Sequence, residues 1–333
     1  MRKLLLLLFF VPYLLSCSTE EDFEATIPLP VCSSPGVDIT ESLQRETLRI
    51  LDIGNSYSLD CTVLLKGLLR ESRMDNSSFC FYTLSRGGAS FRNWYWCYEG
   101  FDTEKYYLQK MAGDYEQNVR VGEYQAGDNT GFLEVLSQEW DIIILHQYSA
   151  FSNDYNKWNT QNPAGYLYEL VTTLQKYQPK AAFAFYLVHS YAGFYNENKE
   201  RASAVRWENI VNTVKQLQRD YPVFQKIIPY GTAIQSLRTS SYSKEGELTR
   251  DGTHLGYGLA RYAAACTLYE SLFAERLGKS VLGNGYRYAC TSADKADSKY
   301  PDGMIDVTDE NAAIAQTVAV MACADPEHIY VVK

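Results

Sequence analysis

Ser56, Asp251 and His254 are the residues of this 333-residue chain whose types and spacing suit nucleophilic catalysis. Ser56 lies in Leu51-Asp52-Ile53-Gly54-Asn55-Ser56-Tyr57-Ser58, where an apolar strand runs into a glycine and then a serine, with a helix shortly after. Such a turn exposes a hydroxyl at the carboxyl edge of a sheet, beside the unpaired N–H groups of a helix start that can hold an oxyanion. Serine needs a base to be nucleophilic at neutral pH, and a histidine base needs an acceptor on its other nitrogen to fix its tautomer. Asp251-Gly252-Thr253-His254 offers both from one turn of chain. Taken singly, each stretch has a plain structural alternative. Strand–Gly–x–Ser turns are common, and an Asp three positions before a His can be a helix N-cap beside a surface histidine. The G-x-S-x-G nucleophile elbow is absent.

Together the two stretches are more specific. GNSYS near the start of the domain and DGTHLGYG near its end resemble the first and last motif blocks of the SGNH/GDSL hydrolase superfamily, in a layout covering most of residues 46–276. The resemblance implies a three-layer, flavodoxin-like α/β/α fold and ester hydrolysis. Ser56 would be the nucleophile, His254 the base and Asp251 its orienting partner. In that family the residue before the nucleophile is usually Asp; here it is Asn55. The second block implies a glycine N–H donor to the oxyanion, which Leu84-Ser85-Arg86-Gly87-Gly88-Ala89-Ser90 supplies best at Gly88. The third block usually reads Gly-x-Asn-Asp, whereas this chain has Ile144-Leu145-His146-Gln147-Tyr148-Ser149, and Gln147 is taken as the substitute donor. Losing one such donor costs about 3–4 kcal/mol of transition-state stabilisation. That departure keeps a second reading open: a catalytically weak or inactive, glycan-binding surface lipoprotein on the same scaffold.

His146 and His189 follow apolar strands at the presumed active edge, where each could meet substrate, act as an alternative base or be a buried structural group. Asn55, Tyr148 and Trp94 complete the expected substrate contacts. The chain is rich in Tyr (27), Phe (14) and Trp (5). They cluster at Phe91, Trp94, Tyr95, Trp96 and Tyr98 and again at Tyr148, Phe151, Tyr155 and Trp158, as a platform for sugar rings or as a small satellite core. The expected substrate is an acylated glycan or another small ester, processed with no metal and no organic cofactor. A glycosidase reading finds no pair of carboxylates placed as acid and nucleophile.

These residues need a frame. Apolar strands are expected at 48–53, 79–84, 141–145, 181–188 and 226–230, and helices at 63–70, 132–136, 167–177, 201–221, 256–277 and 309–323. Short apolar strands separated by helices specify a mostly parallel sheet covered on both faces. Residues 89–130 and 150–163 are expected to be aromatic and polar insertions without regular periodicity.

Residues 1–16 read as a signal peptide, with Arg2 and Lys3 followed by the apolar run Leu4 to Leu15. Leu14-Leu15-Ser16-Cys17 resembles a bacterial lipobox, which implies lipidation of Cys17. The acidic stretch after it is similar to the export tags of surface lipoproteins. Residues 17–45 read as a lipid-anchored linker with Pro28, Pro30 and Pro35, and 46–333 as the α/β domain. The expected location is the bacterial cell envelope, at the outer membrane. A formal net charge of -9 argues against nucleic acid as a partner. Cys17 apart, the cysteines are scattered without a CxxC pair, so no disulfide framework can be read from their spacing.

Overall fold

The computed structural model describes residues 34–111, 118–158, 165–193, 203–244, 246–300 and 303–332. The expected signal peptide, Cys17 and the first part of the expected linker lie outside them. The elements run α1 (Ile39–Leu43), β1 (Leu48–Gly54), α2 (Ser56–Thr62), α3 (Leu65–Glu71), β2 (Phe79–Ser85), α4 (Phe91–Glu99), β3 (Tyr106–Met111), β4 (Asn118–Tyr124), α5 (Thr130–Leu136) and β5 (Ile142–Leu145). They continue as α6 (Tyr166–Tyr177), β6 (Ala182–Tyr186), α7 (Ser203–Asp220), β7 (Phe224–Ile228), α8 (Tyr230–Leu237), β8 (Tyr257–Gly258), α9 (Leu259–Leu272), α10 (Ala274–Leu277), α11 (Ser292–Asp297), β9 (Met304–Ile305) and α12 (Asp309–Ala324).

The main sheet has the order β4-β3-β2-β1-β5-β6-β7. β2, β1, β5, β6 and β7 are parallel, while β3 and β4 form an antiparallel hairpin added at the β2 edge. Without the hairpin, the strand order is second, first, third, fourth, fifth. That is the flavodoxin-like doubly wound topology, in which ligands bind where the winding reverses, outside the carboxyl ends of the first and third parallel strands. β1 and β5 are those strands here, both buried along nearly their whole length as a parallel sheet covered on both faces requires. The expected α/β class is the one observed.

α9 packs against α2, α3, α8 and α12, and its alanines 260, 263, 264 and 265 are all buried. Side chains that short let neighbouring helices approach closely. α4 packs against α5 and α6.

Two expectations are corrected, and one element was not foreseen. Ile39 and Leu43 are buried in α1, so the folded body begins before residue 46. Residues 89–130 contain α4 and the β3–β4 hairpin, because Tyr106 and Leu108 alternate inward along β3 while their neighbours stay half-exposed. α8 had no expected counterpart: its residues are all buried, so no polar face betrays helical period. Among the described residues Cys61, Cys80, Cys97, Cys266, Cys290 and Cys323 are free thiols.

Candidate active site

β1 ends on Gly54 and the chain turns at Asn55, making Ser56 the first residue of α2. A Cβ on Gly54 would run into His146 Nε2 and Ser58 Oγ, so only glycine fits. Asn55 caps α2: its Oδ1 accepts the Tyr57 N–H at 3.0 Å, and its Nδ2 donates to the Ala89 carbonyl at 3.0 Å. The Arg86 N–H donates to the Gly54 carbonyl at 3.3 Å. The turn after β1 is thus stitched to the loop after β2, where Gly88 is exposed at φ +61°, a left-handed conformation that favours glycine. A buried ion pair, Arg86 Nη2 donating to Asp102 Oδ1 at 2.9 Å, secures that loop from behind.

The turn that carries His254 comes from the far end of the domain. Asp251 Oδ1 accepts from the Thr253 N–H (2.9 Å), the Thr253 hydroxyl (2.9 Å) and the His254 N–H (2.8 Å), and Oδ2 lies 2.7 Å from His254 Nδ1. A carboxylate only accepts, so Nδ1 carries the proton and Nε2 keeps its lone pair. That Nε2 is 2.8 Å from Ser56 Oγ. Burial alone would raise the Asp251 carboxyl. The hydrogen bonds from His254 and Thr253 outweigh it and hold the group well below the usual carboxylate range. All three side chains keep some solvent exposure.

What brings two turns 198 positions apart to this distance is Asp60, one helical turn beyond Ser56 and almost fully buried. Its Oδ1 accepts from Arg250 Nη1 (2.9 Å) and Arg261 Nη2 (2.7 Å), and its Oδ2 accepts the Leu255 N–H (3.0 Å). Burial opposes the charge on Asp60, but the two guanidinium groups dominate and lower its pKa. α2 is therefore clamped to both flanks of the His254 turn. Sequence reasoning missed this trio; the available signal was Asp60 four residues after Ser56, with Arg250 adjoining Asp251.

His189 and His146 take structural places. His189 Nε2 is 2.7 Å from the Thr253 carbonyl, which Tyr57 Oη also donates to at 2.7 Å, and the two rings stack at 4.3 Å. His146 Nδ1 is 3.1 Å from the Gln147 carbonyl, while its Nε2 faces the Asn55 N–H (3.3 Å) and Ser58 Oγ (2.9 Å). Burial pushes His146 down to about 4 and His189 to about 3, so both are neutral and committed to backbone partners rather than available as bases. Asn55, likewise buried, spends its side chain on the turn and not on a substrate.

Gln147 Oε1 accepts two backbone N–H groups, from Tyr148 (2.8 Å) and Phe91 (3.2 Å), which leaves Nε2 as its donor end. Tyr148 is half-exposed, its ring 3.5 Å from where a Gly88 Cβ would stand. Trp94 is corrected: it is 1% exposed and packs against Tyr106 and Phe132, with no face left for a sugar. Phe91, Tyr155 and Trp158 are buried too, whereas Phe151 stays half-exposed with its ring edge-on to Tyr148.

A small cavity of about 40 Å³ adjoins Gln147, Phe151 and Tyr166. Larger ones of about 220 Å³, beside α7 and α12, and about 360 Å³, near Trp140 and Tyr177, touch neither Ser56 nor His254.

A family model described as "Domain of unknown function (DUF4886)" matches residues 102–299, more than half of the chain. The crystal structure of a DUF4886 family protein from Bacteroides uniformis is 24% identical, with a TM-score of 0.67 over 86% of this chain and 98% of that one; the likeness is one of fold. A proposed SGNH hydrolase from Slackia heliotrinireducens is 14% identical, with a TM-score of 0.42 over 68% of this chain and 98% of that one. A gut microbial diltiazem-metabolizing enzyme is 12% identical, with a TM-score of 0.35 over 70% of this chain and 47% of that one. No curated protein matches the sequence.

Proposed function

We propose that this chain, which belongs to the DUF4886 family, is a serine ester hydrolase that removes acyl groups, acetyl foremost, from a glycan of the bacterial envelope. One observation carries the reading: Ser56 Oγ, His254 Nε2, His254 Nδ1 and Asp251 Oδ2 form an unbroken hydrogen-bonded line with steps of 2.8 and 2.7 Å. Those are proton-transfer distances between a nucleophile, a base and the group that orients the base.

In the first step His254 Nε2 takes the Ser56 hydroxyl proton as Oγ attacks the ester carbonyl. The oxyanion is met by the Ser56 and Gly88 N–H groups and Gln147 Nε2. His254 then gives its proton to the departing sugar oxygen, which leaves as a hydroxyl, and an acyl-serine remains. Water, deprotonated by His254, attacks that acyl group, and the carboxylic acid leaves as Ser56 regains its proton. Asp251 stays ionised throughout and stabilises the imidazolium. The half-exposed rings of Tyr148 and Phe151 beside Gly88 and Gln147 favour a sugar as the leaving group. The lipobox-like Cys17 supports attachment to the envelope.

The test is Ser56→Ala with aryl acetates and acetylated sugars. Turnover should drop by on the order of 10⁴-fold or more, with unchanged circular dichroism, and fluorophosphonate labelling should disappear. A wild-type protein that takes no fluorophosphonate supports instead a glycan-binding lipoprotein without catalysis.

A further inference from the structure

The strand that delivers Ser56 also carries Asp52, a carboxyl group with no exposed surface. Its Oδ1 is 2.8 Å from Ser58 Oγ and its Oδ2 is 3.2 Å from Tyr186 Oη. Facing it are Ser58 and Cys61 of α2 and Tyr186 of β6, with His146 beyond Ser58 after β5 and Tyr230 of α8 behind Tyr186. Among the described residues no basic side chain is bonded to it.

We infer that Asp52 is a neutral carboxylic acid in the working protein, and that Asp52, Ser58 and His146 form one hydrogen-bond relay that positions the Ser56 turn and Gln147 together. The inference rests on the esterase reading for its consequence, and on proton accounting for its substance. The Gln147 carbonyl can only accept, so His146 Nδ1 must donate. The Asn55 N–H can only donate, so His146 Nε2 must present its lone pair. The Ser58 hydroxyl, 2.9 Å from that lone pair, then owes its single proton to His146. The same hydroxyl would donate to an ionised Asp52 Oδ1 at 2.8 Å, and one proton cannot serve both neighbours, so both contacts are hydrogen bonds only if Asp52 brings a proton of its own.

Ionised Asp52 would claim the Ser58 proton and set the Ser58 oxygen lone pairs against the Nε2 lone pair. Placing the proton on Nε2 instead would turn it against the Asn55 N–H. Burial acts in the same direction: it outweighs the lowering by the Ser58 and Tyr186 contacts and raises Asp52 to about 7, while it lowers His146.

The relay ends on two functional elements. One is the Asn55 N–H, whose residue caps the helix that begins at Ser56. The other is the backbone carbonyl of Gln147, the proposed side-chain donor to the oxyanion. Gly54 lacks a Cβ because these same atoms, His146 Nε2 and Ser58 Oγ, occupy its place. Loss of the Asp52 proton therefore loosens the nucleophile and the oxyanion donor at once. Asp52, Ser58 and His146 are positioning residues; none needs to touch substrate.

Infrared difference spectroscopy between wild type and Asp52→Asn tests the proton without turnover. A protonated-carboxyl carbonyl band at pH 6, absent in the variant and lost in the wild type as pH rises through about 7, is expected. Only carboxylate bands at pH 6 would overturn the inference. Should the variant not fold, the wild-type titration still decides it, since burial raises the Asp52 carboxyl on balance, whereas the partners of Asp60 and Asp251 hold those two carboxyls low.

In kinetics, the amide of the Asp52→Asn variant keeps a donor toward Ser58 at every pH, so the alkaline limb of kcat/KM should move to higher pH; an unmoved limb counts against the relay. Ser58→Ala should lower kcat about tenfold with little change in KM, and unchanged kcat would also overturn it. The band without ester hydrolysis refutes the esterase reading alone, whereas hydrolysis without the band refutes this inference alone.

Discussion

Two regions at the carboxyl rim of the sheet both carry large side chains and are held in opposite ways. The Ser56–His254 region is braced by polar groups: Asp60 with Arg250 and Arg261, Asp251 with its turn, and Tyr57 and His189 on one carbonyl. The region of α4 and residues 149–158 is braced by rings, with Trp94, Phe91 and Trp158 at 1%, 0% and 2% exposure packed edge to face and in stacks. Polar bracing fixes orientation while leaving its outermost groups wet; aromatic bracing consumes the surfaces that might have met a ligand. Side-chain type at a rim therefore does not identify a binding platform. Which atoms are left over does.

That contrast can be broken most severely at Asp60. Asp60→Ala leaves Arg250 and Arg261 without their shared partner in a nearly closed site and should cost about 3–5 kcal/mol of stability. It should also cut kcat/KM by releasing the His254 turn; urea unfolding and turnover on the same preparation check both. A variant that loses activity without losing stability would show that the clamp is local.

Trp94→Ala and Tyr148→Ala sharpen the contrast as a pair. The first should lose about 3–5 kcal/mol through its cavity with KM little changed in the folded fraction. The second should stay within about 0.5 kcal/mol of wild type while KM for an acetylated sugar rises severalfold. Reversed effects would make Trp94 the platform.

The smallest effect is in pH. His146 and His189 have folded values of about 4 and about 3 against an ordinary 6.5, so each contributes stability that is fully present above pH 6.5 and lost as pH falls through those values. Asp52 acts oppositely: its contribution is fully present below 3.8 and lost as pH rises through about 7. Asp52→Asn should therefore lose stability more steeply than wild type as pH is lowered from 7 to 4, as read by urea midpoints. Equal slopes would remove the proton from Asp52.

Much of the frame was legible because burial on both faces leaves continuous apolar runs such as Ile142–Leu145 and Ala182–Tyr186. The hairpin was not, since β4 carries exposed Val119 and Val121 at a sheet edge and alternates weakly. α8 was hidden for the opposite reason, being buried all round. The turns at Ser56 and His254 were readable as chemistry because their residue types are rare in combination. Asp60 left only the hint of its spacing from Ser56 and Asp52 left none, because a single acidic residue in a helix or strand says nothing of the partner that will face it.

The order of residues by itself determined the strand–turn–helix that exposes Ser56 and the short turn in which Asp251 binds His254, since both are local and decided within a few bonds. Only the tertiary structure decided that these turns meet, that His146 and His189 are braces rather than bases, and that Trp94 is core. Those outcomes depend on distances between segments far apart in the chain, set by packing and by buried charge that must find its counter-charge.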